Sequence, residues 1–323
     1  MINYILKRLL GMIPVLLGVT VLSFAIINLA PGKFSTLDQA MNPKVSPEYQ
    51  MRLVKAFNLD KPLPVRYWLW LKSSICFDFG RSFSDNRLIM DKIAERLPVT
   101  VGINVLSLLF VFLVAIPIGV KAATKAGGGF DTVTTYFSFL LLAAPTFWLA
   151  LLLMQFFCIQ LGWLPISGIH SLDFEYFSPL RKVWDISWHL ILPVFVSSLG
   201  GFAVISRYMR SSMMEALNQP YIYTARAKGL PQSQVVYKHA LRNASLPIVT
   251  MIGLSIPGLL GGSVIFESIF ALPGLGQLFF QAVMARDMPL IMAEVVLGAV
   301  LTMLGNLIAD ISYAYVDPRI RYK

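Results

Sequence analysis

The chain has 323 residues, of which 56% are hydrophobic and 14% charged; its mean hydropathy is +0.68. A water-soluble domain carries about 25% charged residues, so the composition excludes one. The formal net charge of +10 would suit nucleic-acid binding or membrane topology. The basic residues are scattered over loops that flank apolar runs, which favours topology and argues against a nucleic-acid partner.

A bilayer span needs roughly 20 predominantly apolar residues, and six such runs occur. They lie at Leu9–Ala30, Val99–Val120, Thr135–Ile159, Leu190–Met209, Leu246–Ile269 and Leu290–Ser312. The runs are continuous, whereas a transmembrane barrel shows short alternating strands. The expected class is therefore an all-α membrane protein with six transmembrane helices. The first run is too long for a secretory signal and lacks a small-residue cleavage site, so it reads as a retained anchor. The expected organisation is an N-terminal helix over 1–30, an extramembrane subdomain over 31–96, a core of five spans over 97–313 and a tail over 314–323.

Within the subdomain, Ser46–Phe57 reads as a helix with Pro47 in its first turn. Val65–Ile75, with Tyr67, Trp68 and Trp70, reads as a segment lying on the membrane surface; docking a partner is the alternative. With the N-terminus in the cytoplasm, Lys7, Arg8, Lys121, Lys125, Arg207, Arg210, Arg226, Lys228, Lys238, Arg242, Arg319, Arg321 and Lys323 all fall on the cytoplasmic side. The short outer loops hold only Arg181, Lys182 and Arg286. That asymmetry obeys the positive-inside rule and places both termini in the cytoplasm.

The spans carry few polar side chains. Gln155 sits in the third, and Asn306 and Asp310 share a face of the sixth, where a structural role is favoured over proton relay. Gly258 and Gly262 in the fifth form a small-xxx-small pair, read as tight helix packing rather than a hinge. Cys76 and Cys158 are placed too far apart for a disulfide. His170, His189 and His239 show no ligand spacing, so no metal site is expected. Gly32-Lys33-Phe34-Ser35 lacks the upstream glycine of a phosphate loop, because Ile27 stands there. Without a nucleotide site or a catalytic constellation, uphill transport would draw its energy from another subunit.

One basic, Gly/Pro-punctuated island, Tyr221–Pro247, interrupts the apolar sequence, and the segment expected to couple to a partner is taken as 215–245. Glu215–Asn218 closes the helix that leaves the fourth span, and Pro220 opens another. Ala225 to Lys228 favour helix, Gly229 caps its end, and Leu230-Pro231 enforces the stop. Gln232–Arg242 then begins a second helix that leads into the fifth span. A short helix of this kind suits the cleft of a partner and would act as a lever on the fourth and fifth spans; a loop resting on anionic headgroups is the alternative.

These residues resemble the cytoplasmic coupling motif of ABC-importer permeases of the dipeptide/oligopeptide/nickel branch. The matching positions are Tyr221, Thr224, Ala225, Arg226, Ala227, Lys228, Gly229, His239, Ala240, Asn243, Ala244 and Pro247. The opening span through Pro31-Gly32, the element Asp78-Phe79-Gly80-Arg81-Ser82, the stretch Glu267–Gly276 with Arg286, Asp287 and Pro289, and the tail Asp317-Pro318-Arg319 also resemble that branch. Where the wider permease pattern has Glu, this chain has Tyr223.

The resemblance implies a type I importer architecture and alternating access, with ATPase coupling through Tyr221, Thr224–Gly229 and Leu230. It implies an external gate segment that includes Glu267, Pro273, Gly274, Gly276, Arg286 and Asp287. It also implies a second homologous permease subunit, two ATPase subunits that carry ATP and Mg, and an external solute-binding protein. The chain itself would bind no cofactor and catalyse nothing. The setting would be a bacterial or archaeal cytoplasmic membrane and the cargo di- or oligopeptides; nickel chelates, glutathione or oligosaccharides are alternatives. A self-contained channel or secondary carrier is the competing class.

Overall fold

The computed structural model describes residues 2–29 and 60–316, with side chains for 5–26 and 60–311. The expected helix at Ser46–Phe57 and the tail motif at Asp317–Arg319 lie outside the described residues. Regular structure among the described residues is helical, apart from one isolated antiparallel bridge between Arg81 and Leu88. The chain divides into two compact units, 1–95 with 281–300, and 96–280 with 301–323.

The first unit contains α1 (Ile2–Leu29) and α2 (Leu63–Ile75). Pro64 stands in the first turn of α2, where its missing N–H leaves no carbonyl unpaired. α2 packs on α1 through Tyr67, whose hydroxyl lies 3.0 Å from Thr20 Oγ1 and whose ring meets Phe24 edge-on. α3 (Ile89–Thr124) begins in this unit and continues into the second. It carries Pro98 and Pro117 without ending, so the second predicted span is the inner part of a longer helix.

The second unit holds α4 (Gly129–Ala143), α5 (Thr146–Met154), α6 (Pro179–Leu217), α7 (Pro220–Ala227), α8 (Gln232–Ala244), α9 (Leu246–Ser255) and α10 (Val264–Ile269). α11 (Leu275–Met284) and α12 (Met288–Val316) pass between the units. α1, α3, α6 and α12 are each long and apolar enough to cross a membrane. The bent pairs α4–α5 and α8–α9 bring the total to six if each pair is one span, matching the six predicted runs.

Three further spans differ from the sequence reading. The fourth span lies within a 39-residue helix, about 58 Å long and far more than a bilayer core needs. The third is broken rather than continuous: α4 and α5 meet at 104°. Pro145 cannot donate to the helix ladder and forces Ala144 into an extended conformation, ψ 131°. The fifth is broken as well. After α9 the chain makes a 3-10 turn at Pro257–Leu260, extends at Gly261 (ψ 130°), and re-enters helix at Val264.

The Gly258–Gly262 pair therefore does not form one helical packing stripe. A Cβ at Gly258 would meet open space, whereas one at Gly262 would collide with the backbone of Leu275 and Gly276. The close helix contact falls elsewhere: Gly305 of α12 packs directly on Pro257, where a Cβ would lie 2.6 Å from Pro257 Cα.

The main core joins α3, α4, α6, α7, α8 and α9 through Ala115, Leu141, Met209, Met213, Ile222, Val235 and Ile248. Asp131, near the start of α4, accepts a two-pronged contact from Arg210 of α6 and a 2.9 Å bond from the Gly127 amide. Gly119 sets the α3–α6 approach. A Cβ there would lie 2.6 Å from Met209 Cβ and 2.7 Å from Ser206 O. Gly119→Val should lower stability by about 1–3 kcal/mol through overpacking, seen as a lower melting temperature in detergent. Gly102→Ala, which faces open space, should match or exceed wild type.

Candidate functional site: a short capped helix and two buried carboxylates

α7 is eight residues long and is stopped at both ends by backbone chemistry. Pro220 stands at its first turn, and Gln219 before it is extended, ψ 149°. At the other end Leu230 N donates to Ala225 O (3.4 Å) and Gly229 N to Arg226 O (2.9 Å). These are the two bonds of a Schellman cap, with Gly229 at φ +74° in the left-handed position. The expected stop is therefore present at the expected residue.

The two faces of α7 differ. Ile222 and Ala225 are buried, at 0% and 5% exposure, in the core shared by α3, α6 and α8, and Leu230 packs against that core. Tyr221, Tyr223, Thr224, Arg226, Ala227, Lys228 and Gly229 are exposed. Ala225 thus serves this chain's own packing, while the available surface is aromatic and basic. α8 follows with a π turn over Val235–Ala240 in place of a regular helix; Val235, Val236 and Ala240 are buried there.

The segment from Glu267 to Gly276 is organised by a carboxylate. Glu267, 4% exposed, accepts from Thr100 Oγ1 of α3 (3.0 Å) and from the Gln277 amide (3.0 Å). Thr100 Oγ1 in turn accepts from the Leu275 amide at 2.9 Å. Gln277 and Leu275 lie in the first turn of α11, where amides have no partner within the helix. Glu267 and Thr100 together therefore cap α11 from outside, with the negative charge at the favourable end of the helix dipole. The turn through Pro273 and Gly274 is wrapped on this pair; a Cβ at Gly274 would lie 2.6 Å from Thr100 Oγ1. Gly276 abuts the Ser263 backbone as closely.

The second carboxylate, Asp287, lies in the first unit and is 0% exposed. It accepts from Ser82 Oγ (2.5 Å) and from the Ser84 and Leu290 amides (3.3 and 3.4 Å). Lys92 Nζ donates to Ser82 Oγ (3.0 Å) and pairs with Asp85 at 2.9 Å. Arg286, beside it, has φ +53° and closes α11 by the same two-bond cap, with Asp287 N to Ala282 O and Arg286 N to Val283 O. Of the six residues of the predicted gate segment, Glu267, Pro273, Gly274 and Gly276 belong to the second unit, and Arg286 and Asp287 to the first.

Several partners escaped the sequence reading. Thr100 and Lys92 sit in unremarkable positions and acquire meaning only opposite a buried carboxylate, and Ser82, already part of the Asp78–Ser82 element, gains its partner there. Asn104 of α3 donates its amide to the carbonyls of Leu259 and Gly261, both at 3.0 Å. It satisfies backbone freed by the break in the fifth span. The available signal was an asparagine inside the second apolar run, with Pro257-Gly258 interrupting the fifth.

Residues 115–322 match the family model for the binding-protein-dependent transport system inner membrane component, and residues 1–104 match its N-terminal model. The chain is 43% identical over 323 residues to the oligopeptide transport system permease protein AppB of Bacillus subtilis, covering all of both chains. It is 35% identical over 335 residues to the dipeptide transport system permease protein DppB of Alkalihalophilus pseudofirmus. It is 38% identical over 323 residues to the glutathione transport system permease protein GsiC of Salmonella typhi. Both matches again cover all of each chain.

Replacing Glu267 by Ala should cost about 1.5–3 kcal/mol, because charged hydrogen bonds are lost and buried donors are left unpaired; thermal unfolding in detergent reads it. Burial pushes the Asp85 carboxyl up, but hydrogen bonds from Lys92, the Arg87 amide and Ser82 outweigh it and hold the group below its ordinary value. Its contribution is therefore complete above the unfolded-state pKa of about 3.9 and is lost as pH falls through the lower folded value. Asp85→Asn should flatten that acid limb of the melting profile and lower the melting temperature at neutral pH, where the contribution it removes is complete.

Proposed function

We propose that this chain, which belongs to the family of binding-protein-dependent transport system inner-membrane components, forms one half of a peptide-conducting path and takes its drive from α7. It is a multi-pass membrane permease subunit of an ABC importer. Its full-length relatives named for oligopeptide and dipeptide transport support di- or oligopeptides as cargo. A second reading, glutathione, rests on relatives named as glutathione permeases at 38% identity and differs only in peptide length and linkage.

The carrying observation is the two-faced α7. A helix anchored by Ile222 and Ala225 in the core of α3, α6 and α8 passes a displacement into long helices, because close-packed interiors transmit strain. Its exposed Tyr223, Arg226 and Lys228 would face an ATPase subunit. Two such ATPases would hold ATP and Mg, this chain would hold neither, and a second homologous permease subunit would complete the path. The charge asymmetry of the loops supports cytoplasmic termini, with α7 on the same side. In the proposed cycle the ATPases close, α7 moves, and the capped turns around Glu267–Gly276 and Arg286–Asp287 rearrange as an outer gate. An external solute-binding protein would deliver the cargo to that gate.

The test is the complex reconstituted with its co-purifying ATPases and solute-binding protein. Peptides and glutathione should stimulate ATP hydrolysis and uptake, and sugars and metal chelates should not. Arg226→Glu with Lys228→Glu should abolish stimulated hydrolysis or loosen the ATPases while leaving the unfolding free energy within about 0.5 kcal/mol of wild type. Unchanged coupling in that variant would remove α7 from the role, and flux through the isolated chain would overturn the importer reading.

A further inference from the structure

The first unit contains a cavity of about 310 Å³ that the transport reading does not use. Leu17 and Thr20 of α1, Leu71 and Ser74 of α2, Phe79 of the following turn and Leu297 of α12 are among its walls. The lining side chains are apolar except for Thr20 and Ser74, and both of these are already bonded within the chain. Thr20 Oγ1 donates to Leu17 O at 2.8 Å and meets the Tyr67 hydroxyl at 3.0 Å. Ser74 Oγ donates to Trp70 O at 2.9 Å. A polar occupant would lose its hydration and gain no partner here, so the cavity suits hydrocarbon.

Its surroundings narrow the occupant. Two of its walls, α1 and α12, are long and apolar enough to cross a membrane, and only 11% of the apolar window of α1 is buried by this chain. The cavity is therefore continuous with a surface that lipid tails cover. The third wall, α2, carries Arg66 and Lys72 and no acidic residue. Lys72 is exposed, as is Trp68 at 66%, and Tyr67 and Trp70 complete the aromatic set. Aromatic and basic side chains at the end of a span belong at headgroup level, and the charge of α2 complements a phosphate.

We infer that this cavity holds one acyl chain of a resident phospholipid whose phosphate is met by the basic residues of α2. The lipid fills the space between α1, α2 and α12 and is held more tightly than the surrounding bilayer.

The test uses the whole complex in nanodiscs made with phosphatidylglycerol that carries a diazirine in one acyl chain. The discs are exchanged into unlabelled lipid, irradiated, digested and mapped by mass spectrometry. Expected adducts fall on peptides containing Leu17, Leu71 and Leu297 and survive exchange, while adducts at Leu113, 74% exposed on α3, are washed out. Lys72→Glu, a surface change, should reduce the retained adducts, and Leu17→Trp, which fills the cavity, should remove them. Loss of the cavity adducts at the same rate as those at Leu113 would overturn the inference, leaving ordinary annular contact. So would the same retained labelling in Leu17→Trp, or protein cross-links from these positions to a second permease subunit.

Discussion

The Glu267 carboxylate governs more of this structure than any other single group. A buried charge is tolerated only when donors surround it, and Glu267 draws its donors from the Thr100 hydroxyl and the first turn of α11. Thr100 takes a further amide of that turn. One cluster thereby fixes α3, α10 and α11 together and shapes the turn at Pro273-Gly274. The non-helical stretch at 261–263 lies beside these anchors, where a buried backbone group left unpaired would cost about as much as a lost hydrogen bond. Asn104 completes the arrangement by taking up two of the freed carbonyls.

Helix ends are the second recurrent device. α2, α7, α10 and α11 all finish with the same pair of reverse hydrogen bonds, and the left-handed residues are Phe77, Gly229, Ala271 and Arg286. Only one of the four is glycine. A left-handed conformation in a residue with a Cβ costs about 1–2 kcal/mol and persists where packing over-determines it. Leu272, which follows Ala271, is 0% exposed, and Asp287, which follows Arg286, is 0% exposed as well. At these two caps the buried residue that follows holds the strained one in place, whereas Asp78, which follows Phe77, is exposed. Gly229 needs no such support, which suits a helix whose outer face is exposed.

This division bears on transport. α7 combines an unstrained stop with an anchored inner face, so it can move as one piece with the long helices. The turns at Glu267–Gly276 and Arg286–Asp287 are the reverse: strained caps and buried carboxylates hold them in one arrangement, which any rearrangement would have to break.

Six apolar runs, the stop at Gly229 and the start at Pro220 were legible in the sequence because each rests on local chemistry. Span length follows from hydrocarbon thickness, and a proline or a glycine fixes its own backbone. The helical class and the family resemblance followed from the same residues. The bends in the third and fifth spans were only half legible: Pro145 and Pro257 were visible, but whether a proline kinks, breaks or merely rides in a helix depends on what re-satisfies the backbone. Pro98, Pro117 and Pro193 ride inside continuous helices, while Pro145 ends one and bends the chain by 104°. Tertiary structure alone decided the partners of Glu267 and Asp287, the inward turn of Ala225 and the helix stops at Phe77, Ala271 and Arg286. In each case the deciding atoms lie far away in the chain, or lie in a packed neighbour that makes an otherwise unfavourable backbone the best one available.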